Sequence, residues 1–320
     1  MTTIRALLCV ILFVQFLPIF ADNIVSIPAH YTYCLPPEFT GNVSGGFVDT
    51  ETSRPDITKL LWSAFKAPFI SYDPEFASIL GPNPELELLA GPFGLDVAIE
   101  AGVYVKATNS VWFTGLGRGQ RGRGHVVMAI NLTNNAIYKP KYDQIILQPN
   151  GGTYDTGNVY MAYWGNKTFA GGILAISAVT GRSERMLDSY FGLRLNGPND
   201  IVWAQRGDRR IMYFTDTNFP YLLNYTGPND LPNAVWRFDN ETESLMPVIG
   251  RADIPDPNGV AVNRESTKLY VTDTPVSYLR GAGPGETTGS AAIYVFDLNE
   301  DLIPLTGIYL GSPGQQHLIG

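Results

Sequence analysis

From about residue 85 onward the chain runs as short apolar stretches separated by polar turns, the rhythm of strands rather than helices. LDVAIEAGVYV (95–105), SVWFT (110–114), HVVMAINL (125–132) and QIIL (144–147) are predicted as four successive strands. Upstream the pattern differs. Residues 22–55 are loop-like, with scattered Pro, Gly and Asn. Asp56 is predicted to cap a short helix in which Ile57, Leu60, Leu61 and Phe65 recur at helical spacing. Asp73-Pro74 opens a second short helix that stops at Gly81. These are the chain's only clear helical signals.

The strand region repeats itself. DVAIEAGVYVKATNSVWFTG (96–115), GPNDIVWAQRGDRRIMYFTD (197–216) and DPNGVAVNRESTKLYVTD (256–273) share one grammar. Each is a short strand, a polar turn, then an aromatic-containing strand ending in Phe-Thr or Val-Thr. Each is followed by a further apolar strand: VVMAINLT, AVWRFDNE and AIYVFDLNE. Val159 to Gly192 supplies a fourth unit, with GGILAISAVTG as its matching strand. A period of roughly 50 residues with four strands per unit predicts an all-β fold, a β-propeller. One unit cannot bury both faces of its small sheet, so neighbours must stack around an axis. A β-sandwich with chance similarity accounts less well for likeness in both order and spacing. The expected organisation is a leader over residues 1–21, an N-terminal extension with short helices over 22–90, and a propeller domain over 91–320.

Composition fits that architecture and narrows the function. Charged residues are only 16% of the 320, while 33 Gly and 23 Pro suit many tight turns. Twenty-two basic residues against 30 acidic ones give a net charge of −8, which disfavours nucleic acid and anionic membranes as partners. At the N-terminus, Arg5 precedes an apolar run from Ala6 to Phe20, and Ala21 offers a small residue for cleavage. That is the form of a secretory signal peptide, so a secreted protein without a membrane span after cleavage is expected. Five acceptor sequons agree with this, at Asn42, Asn131, Asn166, Asn224 and Asn240, and should place those segments on the surface. Once Cys9 leaves with the leader, Cys34 remains alone and is expected to be buried and inert.

Asn196-Gly-Pro-Asn-Asp200 followed by Tyr213-Phe-Thr-Asp216, and Asp256-Pro-Asn-Gly-Val260 followed by Leu269-Tyr-Val-Thr-Asp273, resemble the gluconolactonase / senescence-marker / luciferin-regenerating family. The fungal secreted lactonohydrolase branch looks most similar, over about residues 85–306. The resemblance implies a six-bladed propeller with a calcium ion in its central channel and the hydrolysis of lactones. It also implies metal ligands at Glu100 (in Ile-Glu-Ala-Gly-Val-Tyr), Asn199 and Asn258. The family's fourth ligand, an Asp in an Asp-Gly pair one blade further on, has no counterpart here. About four blade-like units are present, so a C-terminally truncated ring of weak activity is expected. A genuine four-bladed ring is the alternative.

One carboxylate and two amide oxygens are hard donors suited to Ca²⁺, which takes 6–8 oxygens. Asp200 either contacts a substrate or bonds the backbone of its own turn. No general base is assigned, because the family Asp that would serve is the missing one. Other constellations fail. Gly117-x-Gly119-x-x-Gly122 precedes a strand rather than a helix, and Arg118, Arg121 and Arg123 sit in an acidic chain. No Gly-x-Ser-x-Gly elbow occurs, and three histidines (His30, His125, His317) exclude a His-rich metal site, with His125 expected to be structural. The expected function is a secreted calcium-dependent lactone hydrolase acting on a small-molecule lactone. The alternative is a non-catalytic propeller that binds a ligand or protein through its channel face.

Overall fold

A computed structural model describes residues 23–32, 34–36, 52–89, 95–117, 124–274 and 292–309. The leader, Asn42, the arginine-bearing loop 118–123 and residues 310–320 lie outside the described residues. The chain divides into two units, Met1–Leu88 and Leu89–Gly320. Among the described residues no helix is long and apolar enough to cross a membrane.

In the first unit, β1 (Ile24–Ser26) pairs in parallel with β2 (Phe69–Ser71), a pairing hidden in what reads as loop. Between them lies α1 (Pro55–Lys66), and after them α2 (Pro74–Leu80). The cap of α1 is Arg54 rather than Asp56, because Pro55 takes the first helical position, where its missing N–H costs nothing. Asp56 sits in the first turn and pairs with Arg54. Ile57, Leu61 and Ala64 face Val25, Ile27 and Tyr31, whereas Phe65 is exposed. Asp73 caps α2 by accepting the Glu75 N–H at 2.8 Å, and Gly81 ends it at φ 84°. Cys34 is exposed, not buried, because it falls just beyond a single 3₁₀ turn, Ala29–Thr32, that packs only Tyr31 inward.

Among its described residues the second unit contains four antiparallel four-stranded sheets, each a meander in chain order. Blade I is β3 (Leu95–Val105), β4 (Ser110–Gly117), β5 (His125–Asn131) and β6 (Ile137–Tyr138). Blade II is β7 (Pro149–Asp155), β8 (Asn158–Tyr163), β9 (Gly172–Ser177) and β10 (Ser183–Leu187). A hairpin, β11 (Ser189–Tyr190) and β12 (Leu193–Arg194), leads to blade III. Blade III is β13 (Pro198–Arg206), β14 (Arg209–Asp216), β15 (Ala234–Asp239) and β16 (Ser244–Gly250), with α3 (Phe219–Leu222) between β14 and β15. Blade IV is β17 (Pro257–Val262), β18 (Lys268–Asp273), β19 (Ala292–Leu298) and β20 (Pro304–Tyr309). First strands pack on first strands: β3 on β7, β7 on β13, and β13 on β17. This is the four-blade propeller arrangement that the repeat predicts.

Two details differ from expectation. Residues 144–147 are not a strand; blade I closes with Ile137–Tyr138 instead. Blade II begins at Pro149, ten residues before the expected start at Val159. Its first strand, PNGGTYD, is too polar and glycine-rich to register as a strand by hydrophobicity.

Packing explains why strands such as Arg-Ile-Met-Tyr-Phe read as continuous apolar runs. Successive side chains point to opposite faces of a strand, and a blade between two others buries both faces. Met212 and Phe214 of β14 pack toward blade II with Tyr160, Ala162 and Ile173. Ile211 and Tyr213 pack toward blade IV with Val260, Leu269 and Val271. On the other side of blade II, Val159, Met161 and Tyr163 meet Val103, Trp112 and Val127 of blade I. Each fully buried side chain of this size is worth roughly 1.5–3 kcal/mol, so the interblade seams are where the fold's stability resides.

Candidate functional site

The first strands of blades II, III and IV begin with the same irregularity. Pro149 pairs with Tyr163 and the next pair is Gly152 with Met161. Pro198 pairs with Asp216, then Ile201 with Phe214. Pro257 pairs with Asp273, then Val260 with Val271. In each case the inner strand carries one residue more than its partner, which is a β-bulge. The two residues in each bulge are Asn150-Gly151, Asn199-Asp200 and Asn258-Gly259. Pro suits the position before them, since it occupies the first residue of a strand and gives up no ladder bond there.

The bulges bring the three asparagines into one row. Asn150 Nδ2 donates to Asn199 Oδ1, 49 residues away. Asn199 Nδ2 donates to Asn258 Oδ1 at 2.5 Å, across 59 residues. Asn258 Nδ2 in turn donates to Thr274 Oγ1 at 3.1 Å. Asn150 and Asn199 are each 2% exposed, so these two are shielded from bulk water, whereas Asn258 is half-buried. Gly151 is required by the approach of the strands: a Cβ there would stand 2.3 Å from the Asn199 carbonyl oxygen.

Asp200 lies beside the row. Its Oδ2 accepts the Val260 N–H at 2.9 Å and its Oδ1 accepts the Ile201 N–H at 2.8 Å. Burial pushes its carboxyl up to about 6, and the two N–H donors act in the opposite direction. Glu100 reaches the same region from blade I. It pairs with Thr114 between two register shifts in β3, and is followed by Ala101 at φ 60°. An L-residue in the left-handed region costs roughly 1–2 kcal/mol. Burial first, and then the Asp200 charge, push the Glu100 carboxyl up to about 7. That coupling means the carboxylates of blades I and III share one poorly hydrated region.

Of the residues singled out in the sequence, Asn199 and Asn258 are in direct contact, and Asp200 and Glu100 are electrostatically coupled beside them. Both alternatives for Asp200 bear on its position, and the turn-bonding one is visible in its two N–H partners. Asn150 escaped the sequence reading. Pro149-Asn150-Gly151 is the same triplet as Pro257-Asn258-Gly259, so the signal was present. His125 is buried; its Nδ1 lies 3.1 Å from the Pro149 carbonyl and its ring packs on Trp164 and Tyr225. Burial pulls its pKa down, against the pull of the Pro149 carbonyl.

The donors gathered here are carboxylate and amide oxygens, the ligand chemistry of a hard cation such as Ca²⁺ rather than of a thiophilic metal. Two carboxyls held above their ordinary range by desolvation also fit a neighbouring positive charge, which would return them to the ionised form. Among the described residues, no three His, Cys, Asp or Glu side chains form a metal-binding group, so amide oxygens are indispensable to any such site.

No protein-family model matches the chain. Its relatives carry the names lactonohydrolase and gluconolactonase, in accord with the resemblance drawn from the motifs. It is 28% identical to Lactonohydrolase oryL of Aspergillus oryzae over 211 residues, 62% of this chain and 45% of that protein. With Lactonohydrolase oryH of the same fungus it shares 24% identity over 305 residues, 74% of this chain and 63% of the relative. With Gluconolactonase of Zymomonas mobilis it shares 30% over 122 residues, 37% of this chain and 31% of that one. The chain thus spans about half to three-fifths of the length of its fungal relatives. A solved structure bearing the name gluconolactonase superposes with a TM-score of 0.50 at 24% identity, covering 70% of this chain and 65% of that one, a likeness of fold.

Proposed function

We propose that this chain hydrolyses small lactones at the bulged ends of its inner strands, with Ca²⁺ held there by Glu100, Asn199 and Asn258. The observation that carries this reading is the contact of Asn199 with Asn258 across 59 residues, next to two desolvated carboxyls. The names of the relatives support the choice of lactone hydrolysis among the reactions such a site could serve.

When bound, the cation supplies polarisation of the ester carbonyl, whose oxygen gains negative charge in the transition state. The chain's own residues do the rest. Glu100 contributes the carboxylate ligand. Asn199 and Asn258 would offer their amide oxygens, which in the row accept from the Nδ2 groups of Asn150 and Asn199 respectively. Asp200 fixes blade III to blade IV through the Val260 N–H and flanks the bound substrate. In the net reaction water adds to the carbonyl carbon, the ring C–O bond breaks, and a proton from water ends on the released hydroxyl.

The same reading has residues 1–21 removed on secretion and the sequon asparagines glycosylated. Asn131 and Asn166 are half-buried, and Asn224 and Asn240 are exposed, so all four stand at the surface.

The test uses the full chain, freed of metal and titrated calorimetrically with Ca²⁺, then assayed on glucono- and pantoyl lactones. One bound ion, turnover that chelator abolishes, and a loss of Ca²⁺ affinity of about tenfold or more in both Glu100→Gln and Asn199→Ala are expected. Unchanged affinity in either variant removes that residue from the ligand set. Absence of turnover on every lactone rejects the enzymatic reading.

A further inference from the structure

A concavity of about 140 Å³ lies at the same strand ends as the asparagine row. Its walls are the segment leaving β8 after Tyr163, the partner of Pro149, and the segment following β14 after Asp216, the partner of Pro198. The chain leading into β13 closes the third side. Gly197 in that lead-in packs so tightly that a Cβ would stand 2.3 Å from Pro220 Cγ. Asn196, in the wall, is three residues before Asn199, a span of at most about 11 Å even for an extended chain.

The charge of this pocket runs against that of the molecule. Acids outnumber bases by 30 to 22 along the chain, yet the pocket is lined by Lys167 and Arg194 against a single acid, Asp230. Neither cation forms an ion pair among the described residues. Lys167 Nζ donates to the amide oxygen of Asn224 at 2.9 Å, and Arg194 Nη2 to the Thr168 carbonyl at 3.1 Å. These neutral acceptors hold the two side chains at the rim without neutralising them. The wall also keeps spare hydrogen-bonding capacity, since Thr226 Oγ1 and Asn229 Oδ1 have no partner among the described residues.

We infer that this pocket seats a free carboxylate of the substrate, and that the chain prefers lactones of hydroxylated diacids to neutral aldonolactones. The inference rests on the lactonase reading and names its substrate class. A guanidinium offers parallel N–H donors that match a carboxylate, and an ammonium adds charge without fixed geometry. The pocket is too small for a second ring but ample for a carboxyl and its neighbouring hydroxyl.

The test compares a matched pair, glucaro-1,4-lactone with its free carboxylate and glucono-1,4-lactone, the same ring carrying a hydroxymethyl group in its place. The full chain is assayed both as secreted with its glycans and after their enzymatic removal, because Asn166 at the rim and Asn224, which holds Lys167, are sequon acceptors; the expected results below must hold with the glycans in place. The readout is the ratio of kcat/KM for the anionic over the neutral lactone, together with calorimetric binding of glucarate. A ratio above one is expected, falling about tenfold in Arg194→Gln and further in Arg194→Gln/Lys167→Gln, the worth of a hydrogen bond to a charged group. High salt should lower the same ratio. A ratio unchanged by both substitutions, or below one in the unaltered chain, overturns the inference while leaving the lactonase reading intact. If neither lactone is turned over, the lactonase reading fails and glucarate binding decides alone. Binding lost in the double variant then sustains a carboxylate site, and absent binding overturns it. Both side chains are exposed, so circular dichroism should show the variants folded.

Discussion

Between Asp200 and Asn258 stands a single hydroxyl. Thr215 Oγ1 accepts the Asp200 N–H at 3.0 Å and donates to the Asn258 carbonyl at 2.5 Å. Thr272 repeats half of this in blade IV, accepting the Gly259 N–H at 2.7 Å. A bulge frees an amide from the ladder, and a buried amide left unpaired costs about 1–3 kcal/mol. The threonine of the recurring Phe-Thr and Val-Thr endings therefore meets the amide that the asparagine bulge releases. Thr215→Val keeps the shape and removes both bonds. A loss of about 1–3 kcal/mol in urea unfolding is expected, with weaker Ca²⁺ binding by calorimetry if the proposed site is right. A change below about 0.5 kcal/mol would mean that the hydroxyl is not what secures the bulge. Single residues of this kind are only half legible in a sequence. The repeat exposes Thr215 and Thr272 as equivalent, but the amide each one satisfies depends on a register shift that hydrophobic patterning does not encode.

At the scale of elements, the aspartate after that threonine ties the lead-in of an inner strand to the end of its neighbour. Asp216 accepts the N–H groups of Asn196 and Gly197 at 3.0 and 2.7 Å, and Asp273 accepts the Asp256 N–H at 3.0 Å. Burial pushes the Asp216 carboxyl up to about 7, although its N–H donors act the other way. Because the folded value lies above the unfolded one of about 3.9, its contribution to stability is full below pH 4 and declines as pH rises through about 7. Asp216→Asn removes that titration. Stability of the unaltered chain relative to the variant should narrow from about pH 4 to about pH 8 in denaturant melts. A gap that widens with pH would show instead that the N–H pair holds the ionised form. The elements themselves were largely legible where side chains carry them. The apolar strands of blades I, III and IV announce themselves through Val-Trp-Phe, Ile-Met-Tyr-Phe and Leu-Tyr-Val. The first strand of blade II does not, because Pro149-Asn-Gly-Gly has no large side chain to signal burial. β1 is legible only through its partner β2, 45 residues away, since three residues carry no periodicity.

For the whole molecule, the outermost turn of blade IV is held by blade III in addition to its own hydrogen bonds, such as Asn299 N–H to the Ile303 carbonyl at 3.1 Å. Arg206 reaches across to donate to the Asn299 carbonyl at 2.7 Å, and Arg237 donates to the Asp301 and Leu302 carbonyls at 3.0 and 3.3 Å. The Tyr213 hydroxyl bonds the Leu302 carbonyl as well. Leu302 is fully buried at φ 55°, so the turn is pinned by an apolar plug and by cations that satisfy its carbonyls. Arg237 is itself 4% exposed and lies 3.5 Å from Asp239, another buried charge. Removing one member of such a pair leaves the other uncompensated, at a cost of about 3–5 kcal/mol. Arg237→Met preserves the length of the side chain and removes its charge and donors. The loss should fall first on blade IV, because the carbonyls it strands belong to the β19–β20 turn. Hydrogen exchange of the variant is expected to speed up in β19 and β20 while the seam between blades I and II keeps its protection. If exchange rises uniformly across all four blades, the propeller unfolds as one unit and the arginine serves the whole stack. Protection unchanged in β19 and β20 would instead mean that Leu302 and Tyr213 suffice to hold the turn.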